Sequence, residues 1–390
     1  VKISLLTGGD DPSYALPLTS SLTALGIDVD LIGNDAMRDD KTTKHERVNY
    51  LNFRGDQNPN APFLKKTSRI VKYYCMLMKY TATTDSRLFH ILWLNKFVYL
   101  DRTLLNLYYK LMGKRIVFTA HNINDKERDG GDSIFNRLTL RFLYSVVDHI
   151  FVHTNKMRQK LVADYAIDEK KITVIPFGIN NHVPNSTLTC AAARRILGIE
   201  DGRKIMLFFG RIAKYKGLDR LIEAHRELVQ RNQDVTLLIA GNIKAGHDSY
   251  WRGIQAAINN YGLQNHIIRH IEYIPDEKIE IYCKAADVLI LPYRNIFQTG
   301  VLFLSYNFGL PAIATDVGSL REEIIEGKTG YICKPDDVKD MANCIAQYFS
   351  SDLYDNLSEN RLKIIEYAHD KYSWAKISEV TRAVYSRVSI

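Results

Sequence analysis

Arg211, Lys214 and Lys216 crowd one short stretch of FFGRIAKYKGLDR (208–220), between an apolar run and a helical pattern opening at Gly217. A helix starting there adds unpaired N–H groups and about half a positive charge from its dipole. Cations and a helix end converging on one point suit a diphosphate, with Arg211 and Lys216 both reaching it. A solvated basic turn satisfies the same residues. A second candidate is NIFQTGVLFLSYNFGLP (295–311), where Gly300 stands at a helix start behind Gln298 and Thr299, residue types that cap helices. Glycine at that place lets a phosphate approach the N–H groups of Val301 and Leu302. An ordinary capped helix with Leu302, Leu304 and Phe308 in the core fits equally, and the two readings are compatible.

Other chemistry-bearing residues are fewer. His121 follows the apolar run RIVFT, and Gly8-Gly9 follows the first apolar run in LTGGDDP without forming a G-x-G-x-x-G pattern. Asp28-Val29-Asp30 has D-x-D spacing but lies inside a candidate strand, so no metal role is expected of it. The chain carries no Walker loop and no serine or cysteine nucleophile motif. No pair of carboxylates stands out as a glycoside hydrolase would require.

The elements that must position these residues are legible. KIMLFF (204–209), VTLLIA (235–240), DVLILP (287–292) and PAIAT (311–315) are apolar without alternation, as parallel strands covered on both faces are. Between them, 217–230 places Leu218, Leu221, Ile222, Leu228 and Val229 on one helical stripe. The first half predicts strands at 1–7, 27–32, 48–53, 88–94, 115–119, 148–152 and 171–175. Helices are predicted at 15–25, 63–80, 96–112, 133–147 and 155–165, and the chain reads as helical over 351–368 and 373–388. Strand and helix in alternation mean doubly wound α/β domains. The expected division is 1–180, 181–365 and a C-terminal helix 366–390 packing back toward the first domain, with PFGINNHVPNSTLT (176–189) as linker. Ligands of such sheets bind at the carboxyl ends of the strands, which places the expected site in a cleft between the two domains.

Composition bounds the partners. The 390 residues are 46% apolar and carry a net charge of +8. Residues 63–115 hold eleven Lys/Arg against Asp85 and Asp101, so this block alone accounts for the excess. Its charges interleave with Phe63, Tyr73, Tyr74, Tyr80, Phe89, Trp93, Phe97, Tyr99, Tyr108 and Tyr109. An anionic membrane face suits such a surface; aromatics in the core with solvated lysines suit it as well. No nucleic-acid motif accompanies the charge. Five scattered cysteines without a C-x-x-C pair fit a reducing, cytoplasmic setting, and the opening VKISLLT reads as a first strand rather than a signal peptide.

FFGRIAKYKGLDRLIEA, VIPFGIN, AADVLILPY and QTGVLFLSYNFGLPAIATDVGSLREEIIEGKTG, in that family's blocks, resemble the retaining, nucleotide-sugar-dependent glycosyltransferases of family 4. The resemblance covers nearly all of 170–350 and is thinner in LTGGDDP and FTAHN. It implies the GT-B architecture, two Rossmann-like domains facing across a cleft. It assigns Arg211 and Lys216 to the donor diphosphate, with Gly210 and the backbone of Gly300, Val301 and Leu302 beside them. By the same likeness Gln298 and Thr299 line the donor site, His121 contacts the donor sugar and Gly9 approaches the phosphates. The family's two glutamates around this helix fall here on Phe297 and Ser305, neither acidic; Ser305 is left as a weak ribose contact.

The expected activity is transfer of a hexosyl group from a nucleotide-diphosphate sugar to a glycan or lipid-linked acceptor in building a surface polysaccharide or glycolipid. It is expected to proceed with retention, without metal or further cofactor, in the cytoplasm or at the inner membrane face. A non-catalytic sugar-nucleotide-binding subunit, and an epimerase or hydrolase on the same fold, are the alternatives.

Overall fold

The computed structural model describes all residues except 1, 10, 59, 129, 180–182, 201 and 390, and all described side chains except those of Asp40 and Arg128. Residues 180–182 of the expected linker therefore lie outside the described residues. The chain forms two compact units, Val1–Gly178 with Tyr372–Ile390, and Ile179–Lys371.

The first unit is built on β1 (Lys2–Leu6), β2 (Asp28–Gly33), β3 (Val48–Asn52), β4 (Leu88–Ile91), β5 (Arg115–Ala120), β6 (His149–Val152) and β7 (Ile172–Val174). These pair in the order β3-β2-β1-β4-β5-β6-β7, every neighbour parallel. The strand interiors are apolar because helices cover both faces. Tyr14, Leu18 and Leu22 of the Pro12–Ala24 helix pack with Trp374, Ile377, Val384 and Tyr385 of the Trp374–Val388 helix over β1 and β2. His90 on β4 bonds the Tyr385 hydroxyl (2.5 Å) and the Thr119 hydroxyl (2.7 Å), tying that helix to the sheet.

The second unit contains β8 (Lys204–Phe209), β9 (Val235–Ala240), β10 (Ile267–His270), β11 (Val288–Leu291), β12 (Ala312–Thr315) and β13 (Gly330–Cys333). The order is β10-β9-β8-β11-β12-β13, again parallel throughout. β10 and β13 were not expected from the sequence. Each is a four-residue edge strand, and Arg269, His270 and Gly330 break the apolar run that marks an interior strand. In both sheets the order reverses once, at β1|β4 and at β8|β11, and ligands of open parallel sheets bind at such switch points.

Three local departures have physical causes. The first helix starts at Pro12, before the expected 15, because the Asp11 carboxylate accepts from Ser13 N (3.1 Å) and proline suits a first turn. The segment 96–112 is broken by a π-helical stretch, Asp101–Leu105. Residues 366–371, expected with the C-terminal helix, instead finish the Leu357–Lys371 helix of the second unit. No helix among the described residues is long and apolar enough to cross a membrane.

Candidate functional site

The basic loop leaves β8 at the switch point of the second sheet. Gly217 ends a 3-10 turn (Lys214–Lys216) with φ 68°, and a Cβ there would stand 1.9 Å from the Pro292 carbonyl oxygen. Only glycine lets the loop press this closely onto the end of β11. The consequence excludes a solvated basic turn at this residue: Lys216 is 6% exposed. Its ammonium lies 5.5 Å from the Tyr293 ring centroid and 2.8 Å from where a Cβ on Gly210 would sit. The nearby acid, Asp219, is already held by Arg294 (2.5 Å) and the Tyr250 hydroxyl (2.6 Å). Lys216 and the exposed Arg211 thus have no carboxylate partner among the described residues. Burial, and secondarily the Arg211 charge, push the Lys216 pKa down to about 8. A buried cation lacking a counter-charge is costly unless an anion completes it.

The second element follows β11 across the same switch point. Thr299 caps the Gly300–Asn307 helix, its hydroxyl accepting from Val301 N (3.3 Å), and the remaining N–H groups of the first turn have no intrahelical acceptor. Val301 Cγ2 is 3.7 Å from the Cβ position at Gly210, so the two loops meet. Gly210, Lys216 and the start of this helix therefore form one patch. Both amide atoms of Gln298 are enclosed without a hydrogen-bond partner among the described residues, leaving a donor and an acceptor unused beside it. The Leu302 side chain is in the core, leaving its N–H as its contribution. Ser305 does not fit the ribose role expected of it. It is 1% exposed and its hydroxyl donates to the Leu302 carbonyl (2.8 Å), because one turn into a buried helix it faces the core.

In the first unit the candidates also follow strand ends. The β5–β6 register pairs Ala120 with Val152, so His121 and His153 are the next residues on adjacent strands, and their Nδ1 and Nε2 approach to 2.9 Å. Trp93, just beyond β4, stacks on His121 (centroids 4.2 Å, 8° between planes), and Tyr14 meets it edge-on at 4.8 Å. Burial holds the His121 pKa well below its usual range, so the ring is neutral. The Gly9 N–H, expected near the donor phosphates, already donates to the Thr7 hydroxyl (3.2 Å), and Asn34 Nδ2 donates to the Gly9 carbonyl (2.8 Å). Asp30 of the D-x-D is engaged by Asn49 (2.9 Å), Tyr80 (2.5 Å) and Lys2 (3.3 Å).

Several neighbours escaped the sequence reading. The Arg54 guanidinium packs against Gly9 and lies 5.2 Å from the Tyr73 ring centroid. It lines a cavity of about 260 Å³ together with Lys66, Arg69, Tyr74, Asn95 and Lys96. Arg69 is paired with Asp56, whereas Arg54, Lys66 and Lys96 make no close ion pair among the described residues, although the Arg54 charge acts on the Asp101 carboxylate. Nothing in the spacing of 54, 66 and 96 marks them as neighbours, because two loops and a helix bring them together. His153 did leave a signal: FVHTN repeats the apolar-run-then-histidine pattern of IVFTAHN.

Comparison with known proteins gives a consistent picture. The model of the Glycosyltransferase Family 4 matches residues 13–182, and that of Glycosyl transferases group 1 matches 191–371. A D-inositol 3-phosphate glycosyltransferase from Corynebacterium diphtheriae is 27% identical over 285 residues, which span 69% of this chain and 64% of that protein. Its counterpart in Corynebacterium aurimucosum is 26% identical, over 70% of this chain and 66% of its own length. The match thus leaves out about a third of each relative. Among solved structures, a sucrose-phosphate synthase from Thermosynechococcus elongatus superposes with TM-score 0.76 at 19% identity, over 99% of this chain and 98% of the other. Anabaena Alr3699/HepE in complex with UDP gives TM-score 0.74 at 16% identity, over 99% and 100%.

Proposed function

We propose, for a chain that belongs to the family-4 glycosyltransferases of GT-B architecture, that it moves a hexosyl group from a nucleoside-diphosphate sugar to a glycan or lipid-linked acceptor. The observation that carries this reading is Lys216, a buried cation without a counter-charge among the described residues, set beside Gly210 and the N-terminus of the Gly300–Asn307 helix at a switch point. As the bond from the anomeric carbon to the donor phosphate lengthens, negative charge grows on the departing diphosphate. Arg211, Lys216 and the first-turn N–H groups are preorganised donors for that charge, the kind of contribution that dominates such reactions. In the reading with retention and without metal, the acceptor hydroxyl attacks from the face the phosphate leaves, and its proton passes to the departing phosphate oxygen. His121 then contacts the donor sugar.

The cavity lined by Arg54, Lys66 and Lys96 belongs to the acceptor in this reading, and its unpaired cations suit an acceptor bearing phosphate. The relatives' names carry the same chemistry, an inositol 3-phosphate. Phe63 and Leu64, 79% and 81% exposed beside Lys65 and Lys66, support docking of this unit on an anionic membrane surface. A second reading, binding without turnover, is favoured by Phe297 and Ser305, which carry no carboxylate.

The test is incubation with UDP-, GDP- and ADP-hexoses, with and without inositol 3-phosphate or a lipid diphosphate sugar, following released nucleoside diphosphate. Release that requires acceptor is expected. Release without acceptor would mark a hydrolase, and tight donor binding without release would favour the binding subunit.

A further inference from the structure

We infer that His153 is a positioning residue that fixes the tautomer of His121, so that His121 meets its ligand as a hydrogen-bond acceptor. The inference rests on the reading above only in supposing that His121 contacts substrate. The chain of logic starts at the backbone. His153 Nδ1 lies 3.2 Å from the Ile175 carbonyl oxygen, which can only accept, so Nδ1 carries the proton. Burial pushes the His153 pKa down to about 4, so the ring is neutral with one N–H, and its Nε2 is a bare lone pair. That lone pair faces His121 Nδ1 at 2.9 Å, and His121 Nδ1 must therefore donate. His121 is neutral as well, so its remaining nitrogen, Nε2, holds a lone pair, and that atom is buried without a partner among the described residues.

The relay follows from sequence position. His121 and His153 are each the first residue past adjacent parallel strands, and Ile175 is the first past β7, so three consecutive strand ends line up donor to acceptor. Trp93 and Tyr14 hold the His121 ring face and edge, which keeps Nε2 aimed rather than rotating away. An acceptor of fixed polarity suits a hydroxyl, such as one of a sugar ring. A phosphate or carboxylate oxygen would set lone pair against lone pair.

The experiment is a long-range 15N imidazole spectrum of the full chain labelled with 15N-histidine, at neutral pH without any sugar nucleotide, assigned with His121→Asn and His153→Asn. Both rings are expected as neutral Nδ1–H tautomers. A His121 ring protonated on Nε2, or charged, overturns the inference. In His153→Phe, the His121 signal is expected to shift toward the Nε2–H form; an unchanged Nδ1–H signal in a folded variant would show that His153 does not fix it. The unmodified spectrum decides the tautomers even where His153→Phe fails to fold. No donor is present, so the outcome is independent of whether the protein transfers sugar.

Discussion

At the residue scale, Lys216 makes a prediction with a sign. Its pKa is depressed from 10.5 to about 8 by burial, so between these values the unfolded chain holds more protons than the folded one. Stability of the ligand-free protein attributable to this group therefore rises as pH climbs from about 8 to 10.5, and is lowest below 8. Lys216→Met should stabilise the ligand-free protein at pH 7 by roughly 1–3 kcal/mol in denaturant unfolding while weakening diphosphate binding at least tenfold. The advantage should shrink as pH is raised above 8; a constant or growing advantage would contradict the buried-charge account. A bound diphosphate raises the same pKa, so kcat/KM should fall above pH about 8 in the parent protein. Ser305 gives the opposite kind of case. Ser305→Ala should change donor KM little, whereas Ser305→Glu buries a carboxylate and should cost more than about 2 kcal/mol in thermal unfolding. Tighter nucleotide binding by a stable Ser305→Glu variant would restore the ribose role. The sequence placed Ser305 correctly on its helix but could not say which side faced the core, since that helix is apolar nearly all round.

At the element scale, the strands that carry the site were legible because buried parallel strands are unbroken apolar runs. The edges β10 and β13 were not, because four residues with a glycine or charge carry little pattern. The helix Gly300–Asn307 depends on Thr299, and Thr299→Ala should cost about 1 kcal/mol of stability and raise donor KM by loosening the first turn. Stability lost with KM unchanged would separate that helix end from the donor. The Phe63–Thr83 helix buries Tyr73, Leu77 and Thr81 only, so part of the aromatic block is core while Phe63, Leu64, Val71 and Met78 are exposed. Vesicles containing anionic lipid should retain the protein at low salt and release it as salt rises, since exposed charges are screened beyond about 8 Å at physiological ionic strength. Replacing Phe63 and Leu64 with Ser should weaken retention further. Equal retention on neutral vesicles would remove the electrostatic part of this reading.

At the scale of the whole molecule, the two doubly wound units follow from alternation of apolar runs and helical stripes, and the clamp loops follow from their place after β8 and β11. Spatial company was illegible: the cavity of Arg54, Lys66 and Lys96 draws on three segments, and the His121–His153 contact needs the β5–β6 register. The burial of Lys216 escaped because a lysine on a basic loop looks solvated until Gly217 is seen folding it onto Pro292. The central claim is that this loop and the Gly300 helix end grip a nucleoside diphosphate. The most direct measurement is calorimetric titration of UDP, GDP and ADP, and of the matching nucleosides, into the parent protein, Arg211→Ala and Lys216→Met. At least one diphosphate should bind the parent, lose tenfold or more in each variant (about 1.4 kcal/mol), and bind far more tightly than its nucleoside. A diphosphate that binds all three proteins alike, or no binding to the parent at millimolar concentration, would contradict the account.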